Sequence, residues 1–165
     1  MAYELIEHIE VGSGGAASIE FTSIPQDGVD LVLKYSLRID QDTFYRVGIR
    51  FNSDSGDNYS AVRLDGNGFG ASSANSSGIS VGRGGAASGT SSTSNTFGNT
   101  SLYISNYAST SDKSFSVDGV SENNSSSALQ QIIAGSYSTS SGITSLELVF
   151  PTALEYRTAS LYKIY

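Results

Sequence analysis

Three aspartates, Asp54, Asp57 and Asp65, sit in or beside loops rich in Gly and Asn, and closely spaced carboxylate and amide oxygens are what Ca²⁺ asks of a protein. Their spacing is not that of an EF-hand loop, and Asp is equally at home in turns, so they stand as weak metal candidates beside a structural alternative. Glu4, Glu7, Glu10 and Glu20 supply carboxyls of the kind that flank a glycosidic bond as acid and base. The same residues, on edge strands, would serve to block unwanted strand pairing. His8, the one histidine, alternates onto the face of Glu4, Ile6 and Glu10, where carboxylates would hold its proton in a pH-sensitive contact. Gly82-Arg83-Gly84-Gly85 has the look of a phosphate nest, but no Lys-Ser/Thr pair or helix start follows, and a flexible turn is the simpler expectation.

What is missing weighs more than these candidates. The chain has no Cys, no Trp, one His and one Met in 165 residues. Nucleophilic and metal chemistry draw on Cys, clustered His or a base-activated Ser, so the composition favours a surface that binds over a pocket that reacts. No catalytic residue and no cofactor is assigned. Nine basic against sixteen acidic residues give a net charge of −7, which disfavours nucleic acid as a partner. Only 15% of residues are charged, and Ser, Thr and Asn carry most of the polarity. No apolar run approaches the roughly 18 residues of a spanning helix, and the N-terminal residues lack a basic region and an apolar signal core. Synthesis in a cytoplasm and no membrane partner are expected.

The elements that must position any site are strands. In Val29 to Ile39 every odd position is apolar, the period-two pattern of a half-buried strand. Ala17 to Phe21 alternates likewise, and the turn chemistry of Ile24 to Gly28 suggests that the two runs are neighbours. Tyr45 to Phe51 and Tyr59 to Asp65 follow, and Asp65-Gly66-Asn67-Gly68 reads as a tight hairpin turn. Later strands are expected at Thr100 to Tyr107, Lys113 to Val120, Ile143 to Phe150 and Thr158 to Tyr165. Ser125 to Ala134 has helical spacing at Ala128, Leu129, Ile132 and Ile133, yet Leu129 to Tyr137 reads equally as extended, and a strand is preferred. Residues 69–99 form a Gly/Ser-rich loop region too poor in apolar residues to order itself, either a mobile loop around one short strand at Gly78 to Arg83 or a segment held by a neighbouring molecule. The sum is a single all-β domain over 1–165, a two-sheet antiparallel sandwich of roughly ten strands, jelly-roll-like.

Tyrosine is plentiful, with ten residues, and offers apolar area with a hydroxyl handle. Tyr103, Tyr107, Tyr137, Tyr162 and Tyr165, with Tyr156 among them, gather in the C-terminal half. The first five are the interface candidates, with strand packing as the alternative role.

The strings Glu10-Val11-Gly12-Ser13-Gly14-Gly15-Ala16-Ala17-Ser18-Ile19-Glu20-Phe21, Gly48-Ile49-Arg50-Phe51-Asn52, Asn58-Tyr59-Ser60, Tyr103-Ile104-Ser105-Asn106-Tyr107, Lys113 to Asn124 and Ala159-Ser160-Leu161-Tyr162-Lys163-Ile164 resemble a family of small β-rich virion structural proteins of tailed bacteriophages, marine and cyanobacterial ones especially. The resemblance covers most of the chain and brings no catalytic residues. It implies a virion component, made in the host cytoplasm, with the major capsid protein or other virion proteins as partners. A capsid decoration or cement protein, self-associating as a closed oligomer such as a trimer, is the first expectation. A fibre module that grips host glycan is the alternative.

Overall fold

The computed structural model describes residues 2–12, 14–41, 45–121, 128–150 and 154–165, with the side chains of residues 45 and 154–156 outside the description. Within them lie twelve strands and no helix. They are β1 (Tyr3–Val11), β2 (Ser18–Phe21), β3 (Asp30–Ile39), β4 (Tyr45–Phe51), β5 (Tyr59–Gly66), β6 (Ala71–Ile79), β7 (Gly82–Ala87), β8 (Gly98–Ile104), β9 (Lys113–Ser121), β10 (Leu129–Tyr137), β11 (Leu146–Val149) and β12 (Leu154–Ile164). Two antiparallel sheets result, one of eight strands in the order β1-β12-β3-β8-β9-β10-β5-β6 and one of four in the order β2-β11-β4-β7.

Setting β5, β6, β9 and β10 aside leaves two four-stranded sheets, β1-β12-β3-β8 and β2-β11-β4-β7, between which the chain crosses repeatedly. That is a jelly roll. Two hairpins inserted into it, β5–β6 and β9–β10, pair with each other through β5 and β10 and widen one sheet only. The two-sheet sandwich expected from alternation is the fold observed. One local expectation fails: β2 and β3 are not paired, because β2 joins β11 in the narrow sheet while β3 lies between β12 and β8 in the wide one. At this step the chain crosses between the sheets rather than turning back as a hairpin.

The apolar phases face inward as the period-two pattern requires. Leu31, Leu33, Leu37 and Ile39 of β3 meet Ile19, Phe21, Ile49 and Phe51 of the narrow sheet in one core. Where β7 packs across β8, β9 and β10, the core is aromatic. Phe51 stands edge-on to Phe115 at 5.6 Å, and Tyr59 stacks on Tyr137 at 4.8 Å. Each such pair adds about 1 kcal/mol beyond the area it buries. Phe115 lies over the backbone of Gly135, where a Cβ would come within 2.1 Å of its ring, and Gly84 of β7 leaves room for Ile49 in the same way at 2.7 Å. Small residues here are the space into which large ones fit.

The region 69–99 is not a loop around one short strand. It holds β6 and β7 and runs into β8. Gly82-Arg83-Gly84-Gly85 is a mostly buried part of β7 rather than a flexible turn. The following stretch, 88–97, is ordered from outside by Arg38. The guanidinium of this buried arginine donates to the carbonyl oxygens of Thr93 (3.3 Å), Thr96 (3.2 Å), Thr90 (3.4 Å) and Ser92 (3.5 Å). Ile39 N–H donates to Ser88 O at 2.9 Å and Thr90 N–H to Gln41 O at 2.6 Å, which ties the start of the stretch to the end of β3 and the residues just after it. A segment without an apolar residue before Phe97 thus gains a centre that its own side chains do not provide.

Replacing Arg38 by Met, which keeps the stem and removes the donors, is expected to cost about 2 kcal/mol and to open 88–97 to protease, read by urea unfolding and limited digestion. Gly135→Ala is expected to destabilise by about 1–3 kcal/mol, since the methyl group must displace a ring locked among other rings. An unchanged urea midpoint would refute that close approach.

Candidate interaction surface

The five interface tyrosines fall into two groups. Tyr107 is fully buried, donates its hydroxyl to Pro25 O and accepts from Gly28 N–H at 3.2 Å. Tyr137 is buried in the aromatic cluster and donates to Asp54 Oδ2 at 3.0 Å. Both are packing residues and offer nothing to a partner, because a Tyr at the inward phase of a strand or corner takes a core position once its hydroxyl finds an acceptor. Burial, the largest influence on each, pushes both hydroxyls above their ordinary pKa. Tyr103, Tyr162 and Tyr165 lie on the outside. The side chain of Tyr156 falls outside the described residues.

Tyr103 and Tyr162 share the outer face of the eight-stranded sheet. The register places Leu5, Tyr162, Val32 and Tyr103 in one row across β1, β12, β3 and β8. Val32 is buried in that row, while Leu5 is 51% exposed, and Tyr3 nearby is 59% exposed. Tyr103 donates its hydroxyl to Asp30, and Tyr165 donates to Glu4 at 2.7 Å, which fixes two of the rings at this end. Lys163 Nζ reaches both carboxylate oxygens of Asp27 at 3.0 Å and Glu4 at 3.3 Å beneath Tyr165.

A second apolar patch lies at the other end of the same face. Leu64 of β5 and Ile132 of β10 are register partners, 57% and 54% exposed, with Val62 and Val120 beside them. Sequence reasoning missed these residues, although a signal was present. In Tyr59 to Asp65 apolar residues occupy both phases, Tyr59 and Ala61 on one and Val62 and Leu64 on the other, so one apolar set had to face away from the core. Between the patches the face carries small polar side chains. Lys34, Ser36, Asn99, Ser101, Asp118 and Ser160 border an open trough of about 440 Å³.

The aspartates that resembled calcium ligands are otherwise employed. Asp54 Oδ1 accepts from Gly56 N–H at 2.7 Å, and Oδ2 accepts from Asn58 Nδ2 at 2.8 Å and from Tyr137, so this carboxylate closes the β4–β5 loop. Asp65 is buried in β5 and bound by Arg63 Nε at 2.7 Å, by Gln131 Nε2 at 2.6 Å and by Arg46 at 3.6 Å. Asp57 is exposed in the loop. Among the described residues no three His, Cys, Asp or Glu side chains gather as a metal site. Of the acid and base candidates, Glu4, Glu7 and Glu10 ride on β1, the edge of the wide sheet, and Glu20 on β2, the edge of the narrow one. Edge charge is the role this placement suits. His8 Nδ1 lies 2.7 Å from Ser160 Oγ, so a hydroxyl rather than a carboxylate is its neighbour.

Hydrogen bonds from Asn58, Gly56 and Tyr137 hold the Asp54 carboxyl below its ordinary value of 3.8. A lowered value in the folded state means that the carboxylate's contribution is whole above 3.8 and fades as pH falls through the lowered value. Asp54→Asn is expected to be less stable than the wild type at neutral pH, with the gap closing in acid below 3.8, read as urea midpoints across the titration. A gap that stays constant into strong acid would show that the charge is idle.

Compared with family models, curated proteins and solved structures, the chain matches none of them.

Proposed function

We propose that this is a non-enzymatic structural protein of a phage virion, a decoration or cement protein that docks on the outer capsid surface through the outer face of its eight-stranded sheet. The observation that carries the reading is the apolar character of that face. An antiparallel sheet with one side in water ordinarily alternates polar residues outward. Here Leu64, Ile132 and Val62 at one end and Leu5 and Tyr3 at the other remain uncovered. Apolar residues grouped on a solvent face are the usual mark of a surface meant for a partner. The family resemblance of the sequence points to the same setting, the virion, with the major capsid protein or another virion protein as that partner and self-association among the copies.

The mechanism is additive. Each copy contributes modest apolar and hydroxyl contacts, and repetition over a symmetric shell multiplies them into avidity. The patches supply burial, and the Ser, Thr and Asn between them supply hydrogen bonds without the cost of stripping water from charges. A second reading, a glycan-binding module on a tail or head fibre, is favoured by the polar trough bordered by Lys34, Asn99 and Asp118, which offers both donors and acceptors to sugar hydroxyls.

Purified wild-type protein is expected to co-sediment with particles stripped of it, whereas L64K/I132K, which alters only exposed positions, keeps its circular dichroism spectrum and binds at least about tenfold more weakly. Equal binding by both proteins would move the docking site elsewhere. Failure of the wild type to bind particles, with retention on a glycan surface, would replace the first reading by the second.

A further inference from the structure

A β-sheet edge carries a row of unpaired N–H and C=O groups, and proteins that must not aggregate guard it with charge, Pro, brevity or a cover. Three of the four edges in this sandwich are guarded. β1 bears Glu4, Glu7 and Glu10; β2 has four residues, one of them Glu20; β7 is largely buried and packs across β8, β9 and β10. The fourth, β6, has no charge, Pro, brevity or cover, and its one irregularity is a bulge at Gly78 near its end. Its nine residues, Ala71-Ser72-Ser73-Ala74-Asn75-Ser76-Ser77-Gly78-Ile79, contain no charge and no Pro, and it pairs with β5 on one side only. None of the nine is buried. From Ala71 to Asn75 the strand therefore has water on both faces, and it is held by the ladder to β5 and, at its far end, by Ile79 against the core.

We infer that the outer edge of β6 pairs antiparallel with β6 of a second copy of this chain, joining two wide sheets into one across a two-fold axis. The occupant follows from charge. A strand that pairs with its own image sets each residue against another of its own set, so an edge charged with one sign would repel itself. β6 is neutral throughout, and its outward row of Ser73, Asn75 and Ser77 meets the same row reversed, hydroxyl and amide against hydroxyl and amide. The acidic edge β1 lies at the opposite end of the sheet, seven strand spacings or roughly 33 Å away, well beyond a Debye length at physiological salt. A protein of net charge −7 thus meets its copy along an edge that carries no charge of its own. A two-fold contact closes on itself as a dimer, in place of the threefold expected from capsid symmetry. The inference does not depend on the virion reading, since it concerns the isolated protein.

The test is the solution mass of the purified chain by sedimentation equilibrium. Wild type is expected at twice the chain mass. S73K/N75K/S77K and S73E/N75E/S77E change only unburied side chains on one face and are each expected to sediment as monomers. Mixed in equal amounts, the two variants are expected to return to the mass of a dimer, because the register that sets the two rows against each other now opposes Lys to Glu at all three positions. A monomeric wild type, a trimer, or a dimer that survives either charged triplet would each overturn the pairing. Recovery on mixing excludes misfolding as the reason the single variants fail to pair.

Discussion

Four strands cannot cover eight. The narrow sheet spans about half the width of the wide one, and most of what distinguishes this molecule follows from that inequality. Over β12, β3 and β8 the two sheets form an ordinary sandwich core of Leu, Ile and Phe. Farther along, β7 packs across β9 and β10, and the aromatic set of Phe51, Tyr59, Phe115 and Tyr137 fills the space beside it. Beyond that the cover ends. Arg63 and Asp65 face each other on the inward side of β5, where a wider sheet would have placed apolar residues, and β6 has no roof. The inserted hairpins lengthen the outer face without lengthening the core that supports it.

Several of the chain's charged and amide side chains are used on its own backbone. Lys113 is buried at the start of β9, and its ammonium donates to the carbonyl oxygens of Ser109, at 2.8 Å, and Ser111. Burial lowers its pKa. Gln26 spans Ile24 O and Ile143 O, both at 2.9 Å, and Asn52 accepts from Thr144 N–H at 2.8 Å while donating to Gly142 O at 2.9 Å. Each of these groups fastens a turn that carries mostly Ser, Thr and Gly. Without disulfides, loops of this composition need such anchors, since their side chains bury too little to offset the entropy of ordering.

The strands with clear alternation were legible from the sequence because burial on one face imposes period two; β9 obeys it throughout, and β3 departs from it only where Val32 and Arg38 are buried on the outward phase. β6 and β7 were not, for opposite reasons. β6 buries nothing, so no apolar rhythm marks it, and β7 is buried so tightly that glycine and alanine replace the large residues a reader looks for. Tyrosine by itself does not say which way it points, and Tyr107 and Tyr137 face inward where acceptors await them. Arg38 looked like an ordinary outward residue of an alternating run. Its role depends on carbonyls more than fifty residues away, a relation no local pattern encodes.

The grip of Arg38 on residues 88–97 is a grip on peptide oxygens, which every residue type possesses. At exposed positions such as Ser91, Thr93 and Ser94 shape is therefore uncoupled from spelling, whereas Ser88, buried against Ser121, is tied to its own hydroxyl. The exposed side chains can drift to other polar types while the path of the chain persists, so the fold presents a scaffolded stretch whose outward chemistry is free to diversify.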